Sequence, residues 1–75
     1  MKSLAELKKG EHAVIRSFVS KELMAKLIEL GCLPGETISI SKTAPLGCPI
    51  AFNVGNSELS LRKEEALGIL VEPVS

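Results

Sequence analysis

Apolar residues recur at two spacings along this chain, and the changes of spacing divide it into elements. In "SLAELKKGE", Leu4 and Leu7 lie three apart, which predicts a short helical or turn-like lead ending at Gly10. "HAVIRSFV" then alternates and is rich in β-branched residues, the pattern of a first strand. Ala13, Ile15 and Ser17 are expected on one face, with His12, Val14 and Arg16 on the other. From Ser20 the spacing becomes helical. Ser20 supplies an N-cap, and Glu22 puts a negative charge in the first turn, where the helix dipole favours it. At about 100° per residue, Leu23, Met24, Leu27, Ile28 and Leu30 share an arc of roughly 160°, so the helix, about Ser20–Leu30, is expected to be a lid with one apolar side.

Gly31 should end that helix, because glycine enters the left-handed C′ conformation without a Cβ penalty, and Leu33 can fold back onto the last turn. Pro34-Gly35 suits the centre of a type II turn. Alternation then resumes. Ile38 and Ile40 oppose Thr37, Ser39 and Ser41 in "ETISISKT", and Ile50, Phe52 and Val54 repeat the pattern in "IAFNV". After a Gly55-Asn56 turn, Leu59 and Leu61 align in "SELSL". "RKEEAL" allows one turn of helix, and "GILVE" closes as a last strand. The expected fold is mainly β: about five antiparallel strands with one inserted α-helix. So few strands bury an apolar face only by curling, which predicts a small barrel.

Composition sharpens this picture in three ways. Hydrophobic residues make up 45% of the chain, enough for a single globular domain over residues 1–75. The core must be aliphatic, since eleven Leu, six Ile and five Val stand beside two Phe and no Trp or Tyr. Nine basic and nine acidic residues give zero net charge, a poor match for nucleic-acid binding, which draws on Lys and Arg to neutralise phosphates. No apolar run approaches the ~20 residues of a membrane-spanning helix. The start, "MKSLAELKKGEH", lacks the apolar block of a signal peptide, so no membrane insertion and a cytoplasmic location are expected.

The candidate chemistry centres on two cysteines. Cys32 lies in "LGCLPGE" and Cys48 in "APLGCPI". A zinc or iron site wants several Cys, His or carboxylate ligands at clustered spacing, and these two are single. A strand separates them: eight extended residues span about 26 Å at ~3.3 Å each. A disulfide needs Cα atoms about 4.4–6.8 Å apart. Both are therefore taken as free, small apolar residues in turns. His12 is expected on the outer face of its strand rather than as a ligand. No base, nucleophile and orienting acid stand in a catalytic arrangement, and no enzyme is expected.

The segment most suited to a contact is "APLGCPI". Pro45 and Pro49 stiffen it, Gly47 permits a sharp bend, and Leu46 and Cys48 are apolar. A rigid loop of this kind loses little entropy on binding. Equally, Leu46 could fold down and plug the barrel end. The charged run "LRKEE" offers either a contact surface or a solvated strand end.

Three motifs in order, "LIELGCLPGE", "KTAPLGCPIAF" and "LSLRKEEALGILVE", resemble the FeoA family of bacterial ferrous-iron transport proteins. Leu30, Gly31, Pro34, Gly35, Pro45, Leu46, Gly47, Pro49, Leu61 and Arg62 fall on the family pattern. The resemblance implies an SH3-like β-barrel and a cytoplasmic accessory or regulatory protein without catalysis. Its implied partner is the membrane Fe(II) transporter that carries a cytoplasmic G-protein domain. Partner-binding residues are then expected among Pro45, Leu46, Gly47, Cys48, Pro49 and Arg62, where Arg62 either pairs internally or reaches the partner. One departure stands out. The family often has Asp at the position of Cys48, so a carboxylate site for Fe(II) does not carry over. The alternative is a transition-metal sensor in which Cys48, Cys32 or His12 contributes to a weak Fe(II) or Zn(II) site. No other cofactor is expected. Turns and strand edges permit a homo-oligomer without requiring one.

Overall fold

The computed structural model describes residues 1–43 and 48–74. Six antiparallel strands form one sheet: β1 (Lys2–Ser3), β2 (His12–Phe18), β3 (Thr37–Thr43), β4 (Ile50–Val54), β5 (Ser57–Leu61) and β6 (Ile69–Val74). Their order is β1-β6-β2-β3-β4-β5. Helix α1 (Lys21–Glu29) joins β2 to β3, and a four-residue helix, α2 (Lys63–Ala66), joins β5 to β6. The mainly-β expectation holds, with one strand more than the alternation implied. That extra strand is β1, whose two residues pair with Leu70 and Val71 ahead of a 3-10 turn at Leu4–Glu6. It is too short to leave a pattern in the sequence.

Alternation builds the core. Ala13, Ile15, Ile38, Ile40, Ile50, Phe52, Val54, Leu61, Ile69 and Val71 all point inward and are buried. Phe52, Leu4, Ile15, Leu27 and Ile38 are the largest of the fully buried side chains, each stabilising by roughly 1.5–3 kcal/mol. Two bulges interrupt the ladders. In β2 the register slips between Ile15 and Ser17, so that Ile15 faces Val71 and Ser17 faces Leu70. The extra residue turns Ser17 out of the inward row, where alternation had placed it, and Phe18 opposite Ile69 packs against the core instead. In β3 the slip lies between Ile40 and Lys42.

Helix α1 begins as expected, with Ser20 Oγ accepting the Leu23 amide at 3.1 Å. Its end is a Schellman motif. Gly31, at φ +93°, donates to Ile28 O at 3.0 Å, and Cys32 donates to Leu27 O at 2.8 Å. The residue folded back under the last turn is therefore Cys32, fully buried, and Leu33 stays 42% exposed. The apolar arc also needs correction. Leu27 is buried and Leu23 packs against the core, but Met24, Ile28 and Leu30 remain 37%, 41% and 45% exposed. A short straight helix lying on a small curved barrel touches it along a narrow line. The flanks of a 160°-wide arc have nothing beneath them.

The turns match their residues. Glu36 N donates to Leu33 O at 3.0 Å across Pro34-Gly35, and Gly35 takes φ +93°. Gly35 N and Glu36 O then clip this turn to Ile15. At the β4–β5 hairpin, Gly55 has φ +59° whereas Asn56 does not have a positive φ, the arrangement of a type II′ turn.

Candidate functional site

The β4–β5 hairpin brings three of the expected contact residues to one end of the sheet. Ile50 pairs with both Thr43 and Leu61. Cys48 and Pro49 lead into Ile50, and Arg62 follows Leu61, so the start of β4 and the end of β5 leave the sheet side by side. Cys48, Pro49 and Arg62 are all exposed. Pro45, Leu46 and Gly47 lie outside the described residues, as does the question of whether Leu46 plugs the barrel. Arg62 caps α2 through its backbone, its N–H donating to Glu65 Oε1 at 3.1 Å. Among the described residues the ion pairs are Arg16–Glu72 and Lys26–Glu65, and Arg62 belongs to neither.

Beside this end lies a groove of about 470 Å³. Its floor follows from the β3 bulge. The bulge sets Lys42 opposite Ala51, and Ala51 stands opposite Ser60. Ile40, Phe52 and Leu59 form the neighbouring row and face the core, so Lys42, Ala51 and Ser60 face outward. Two small residues in that outward row leave a depression. Lys42 and Thr43 wall one side, Glu58 the other, Pro49 adds an apolar lining residue, and Lys9 completes it. The loop carrying Lys9 is pinned to β3 by Gly10 N to Ile40 O at 2.9 Å and Ile40 N to Glu11 O at 3.1 Å. The bulged Ser41 donates its hydroxyl to Glu58 Oε2 at 2.8 Å.

Of the residues expected from sequence, Pro49 alone lines this groove among the described residues. Lys9, Lys42, Glu58 and Ser60 were not singled out. Their convergence depends on the β3 bulge and on a loop closure, and neither has a spacing signature.

The three metal-ligand candidates are not brought together. Cys32 is sealed in the core, and its burial, then the negative charge of Glu36, push its thiol above the ordinary range. Cys48 is exposed, so the expectation of two small apolar residues holds for Cys32 only as a core residue. His12 is exposed on β2, opposite Ser39 and Val74. Among the described residues, no three His, Cys, Asp or Glu side chains form a cation-holding group. Nor is any described helix long and apolar enough to cross a membrane.

Comparison with known proteins adds a family. The FeoA domain family matches residues 2–73. A fusion protein of Fe(2+) transport protein A and the Fe(2+) transporter FeoB from Porphyromonas gingivalis is 36% identical over 73 residues, covering 96% of this chain and 9% of that protein. The chain thus spans under a tenth of that curated relative. The solution structure of iron(II) transport protein A from Clostridium thermocellum is 45% identical with a TM-score of 0.88, covering 96% of this chain and 45% of that one. A zinc complex of FeoA from Stenotrophomonas maltophilia, described as a prokaryotic SH3 domain protein, is 28% identical with a TM-score of 0.83. That likeness covers 96% of this chain and 91% of the other. With its SH3-like barrel and a match over nearly its whole length, the chain belongs to the FeoA family of ferrous-iron transport proteins.

Proposed function

We propose that this chain is a cytoplasmic accessory protein of ferrous-iron uptake that acts by docking on the membrane Fe(II) transporter and its G-protein domain. The observation that carries this reading is the Porphyromonas gingivalis relative, in which a domain of this kind is joined covalently to the transporter. Covalent fusion raises the effective concentration of two modules, which is useful only where they work in contact. The barrel supplies a fixed scaffold. The sheet end carrying Cys48, Pro49 and Arg62, with the neighbouring Pro45, Leu46 and Gly47, supplies the contact. Docking there would favour one transporter conformation over another, and the shift is limited by the difference in affinity for the two. Fe(II) uptake in a strain lacking this chain tests the reading. Impaired uptake restored by the wild-type chain supports it, and uptake equal to that of the parent strain overturns it.

A further inference from the structure

We infer that the groove between Lys9, Lys42 and Glu58 receives an extended acidic segment of a protein partner, with the two lysines taking its carboxylates. The inference rests on the docking role proposed above and names the chemistry that the partner must offer.

Charge complementarity carries it. Lys9 and Lys42 line one groove, and neither takes part in the ion pairs found among the described residues. The β2–β3 pairing, His12 opposite Ser39 and Ala13 opposite Ile38, continues toward Lys9 through the hydrogen bonds between the 10–11 loop and Ile40. That continuation places the Lys9 loop beside the end of β3 that carries Lys42. Two ammonium groups lining one groove repel one another, and an anion bound there relieves the repulsion. The third charged residue lining the groove, Glu58, has one carboxylate oxygen engaged by the Ser41 hydroxyl at 2.8 Å. The groove is thus positive on balance, with a single negative charge fixed on one wall.

The rest of the lining fits an extended peptide. Ala51 and Pro49 give an apolar floor and end, while Thr43 and Ser60 offer hydroxyl donors to carboxylate oxygens. A volume of about 470 Å³ admits a few side chains, not a folded element. The groove also adjoins the hairpin end that carries Cys48 and Arg62, so a segment lying in it reaches both surfaces. Glu58 adds direction, because the carboxylates must lie toward the lysines and away from it.

Amide chemical shifts of the full chain test this, using a synthetic peptide of alternating Glu and Ala as the probe. The peptide should move the amides of Lys9, Lys42, Ala51 and Ser60, whereas a Lys/Ala peptide should not. Affinity should fall as salt approaches 0.1 M, where the Debye length is about 10 Å. Lys9→Glu/Lys42→Glu, at two exposed positions, should leave the spectrum folded and weaken the acidic peptide by about tenfold or more. Glu58→Gln should tighten it, since it removes the one repelling charge. No shift in these amides overturns the inference, as does equal binding of both peptides, or a response to sodium succinate with none to the peptide. Capture of the transporter separates this inference from the reading beneath it. If Lys9→Glu/Lys42→Glu captures the transporter as well as wild type does, the groove assignment fails and the docking reading stands. If the peptide fills the groove but no form of the chain captures the transporter, the docking reading fails and the groove assignment stands.

Discussion

The Lys26 ammonium on α1 donates to the Glu65 carboxylate on α2, tying the helix that follows β2 to the helix that precedes β6. Close by, the Val19 amide donates to Gly68 O at 2.9 Å, so the α1 segment is fastened to the α2–β6 segment at two points. This junction holds the only large helix of the described fold in place, and its pH dependence follows from Glu65. The hydrogen bond from Lys26, then that from the Arg62 amide, hold the Glu65 carboxyl below its ordinary range. A carboxyl with a depressed folded pKa contributes stability above its unfolded value, about 4.3, and loses it as pH falls through the folded value. Thermal midpoints of wild type and Glu65→Gln should therefore differ at neutral pH and converge as pH drops below about 4.

Gly68 is needed for packing rather than for backbone freedom. A Cβ there would lie 2.6 Å from Leu23 Cδ2 and 3.0 Å from Val19 Cγ2. Overpacking costs about 1–3 kcal/mol, and the entropy gained from replacing glycine returns about 0.4–1 kcal/mol. Overpacking wins. Gly68→Ala should destabilise by about 1 kcal/mol in denaturant unfolding. In a Leu23→Ala background the closest contact is gone and Val19 Cγ2 at 3.0 Å remains, so the same substitution should cost measurably less.

The two sides of α1's apolar arc should behave differently. Leu27→Ala opens a cavity under a fully buried side chain and should cost about 2–5 kcal/mol. Met24→Ala and Ile28→Ala, at 37% and 41% exposure, should each cost less than about 1 kcal/mol. Equal losses at all three positions would mean that α1 lies on the barrel by a different face.

The cysteines separate by reactivity. Alkylation of the native protein should modify Cys48 quickly and Cys32 only as the chain unfolds, since Cys32 is buried and its thiol resists ionisation. Peptide mapping after a timed pulse of iodoacetamide reads this directly. Early modification of Cys32 would contradict the burial beneath the Schellman turn.

The same residues show how far the chain could be read in advance. Ser20, Gly31, Pro34-Gly35 and Gly55 marked their caps and turns because each satisfies a local backbone requirement, and local requirements are written in local sequence. The inward rows of β3, β4 and β5 followed from alternation for the same reason. What was missed is non-local. Phe18 replaces Ser17 because β2 bulges against β6, and Met24 and Ile28 stay exposed because the barrel beneath them curves away. Cys32, one residue earlier than the Leu33 expected, fills the space under α1 because the Schellman hydrogen bonds fix which residue folds back. Of the candidate contact residues, Cys48, Pro49 and Arg62 were legible as loop and strand-end positions. The lysines of the groove were not, because Lys9 and Lys42 come to line one groove only through the pairing of β2 with β3.

Central to this account is contact between the chain and the Fe(II) transporter. Equilibrium binding of the purified chain to the detergent-solubilised transporter measures it most directly. Saturable one-site association is the predicted result, and the absence of association at any nucleotide state of the G-protein domain would contradict it.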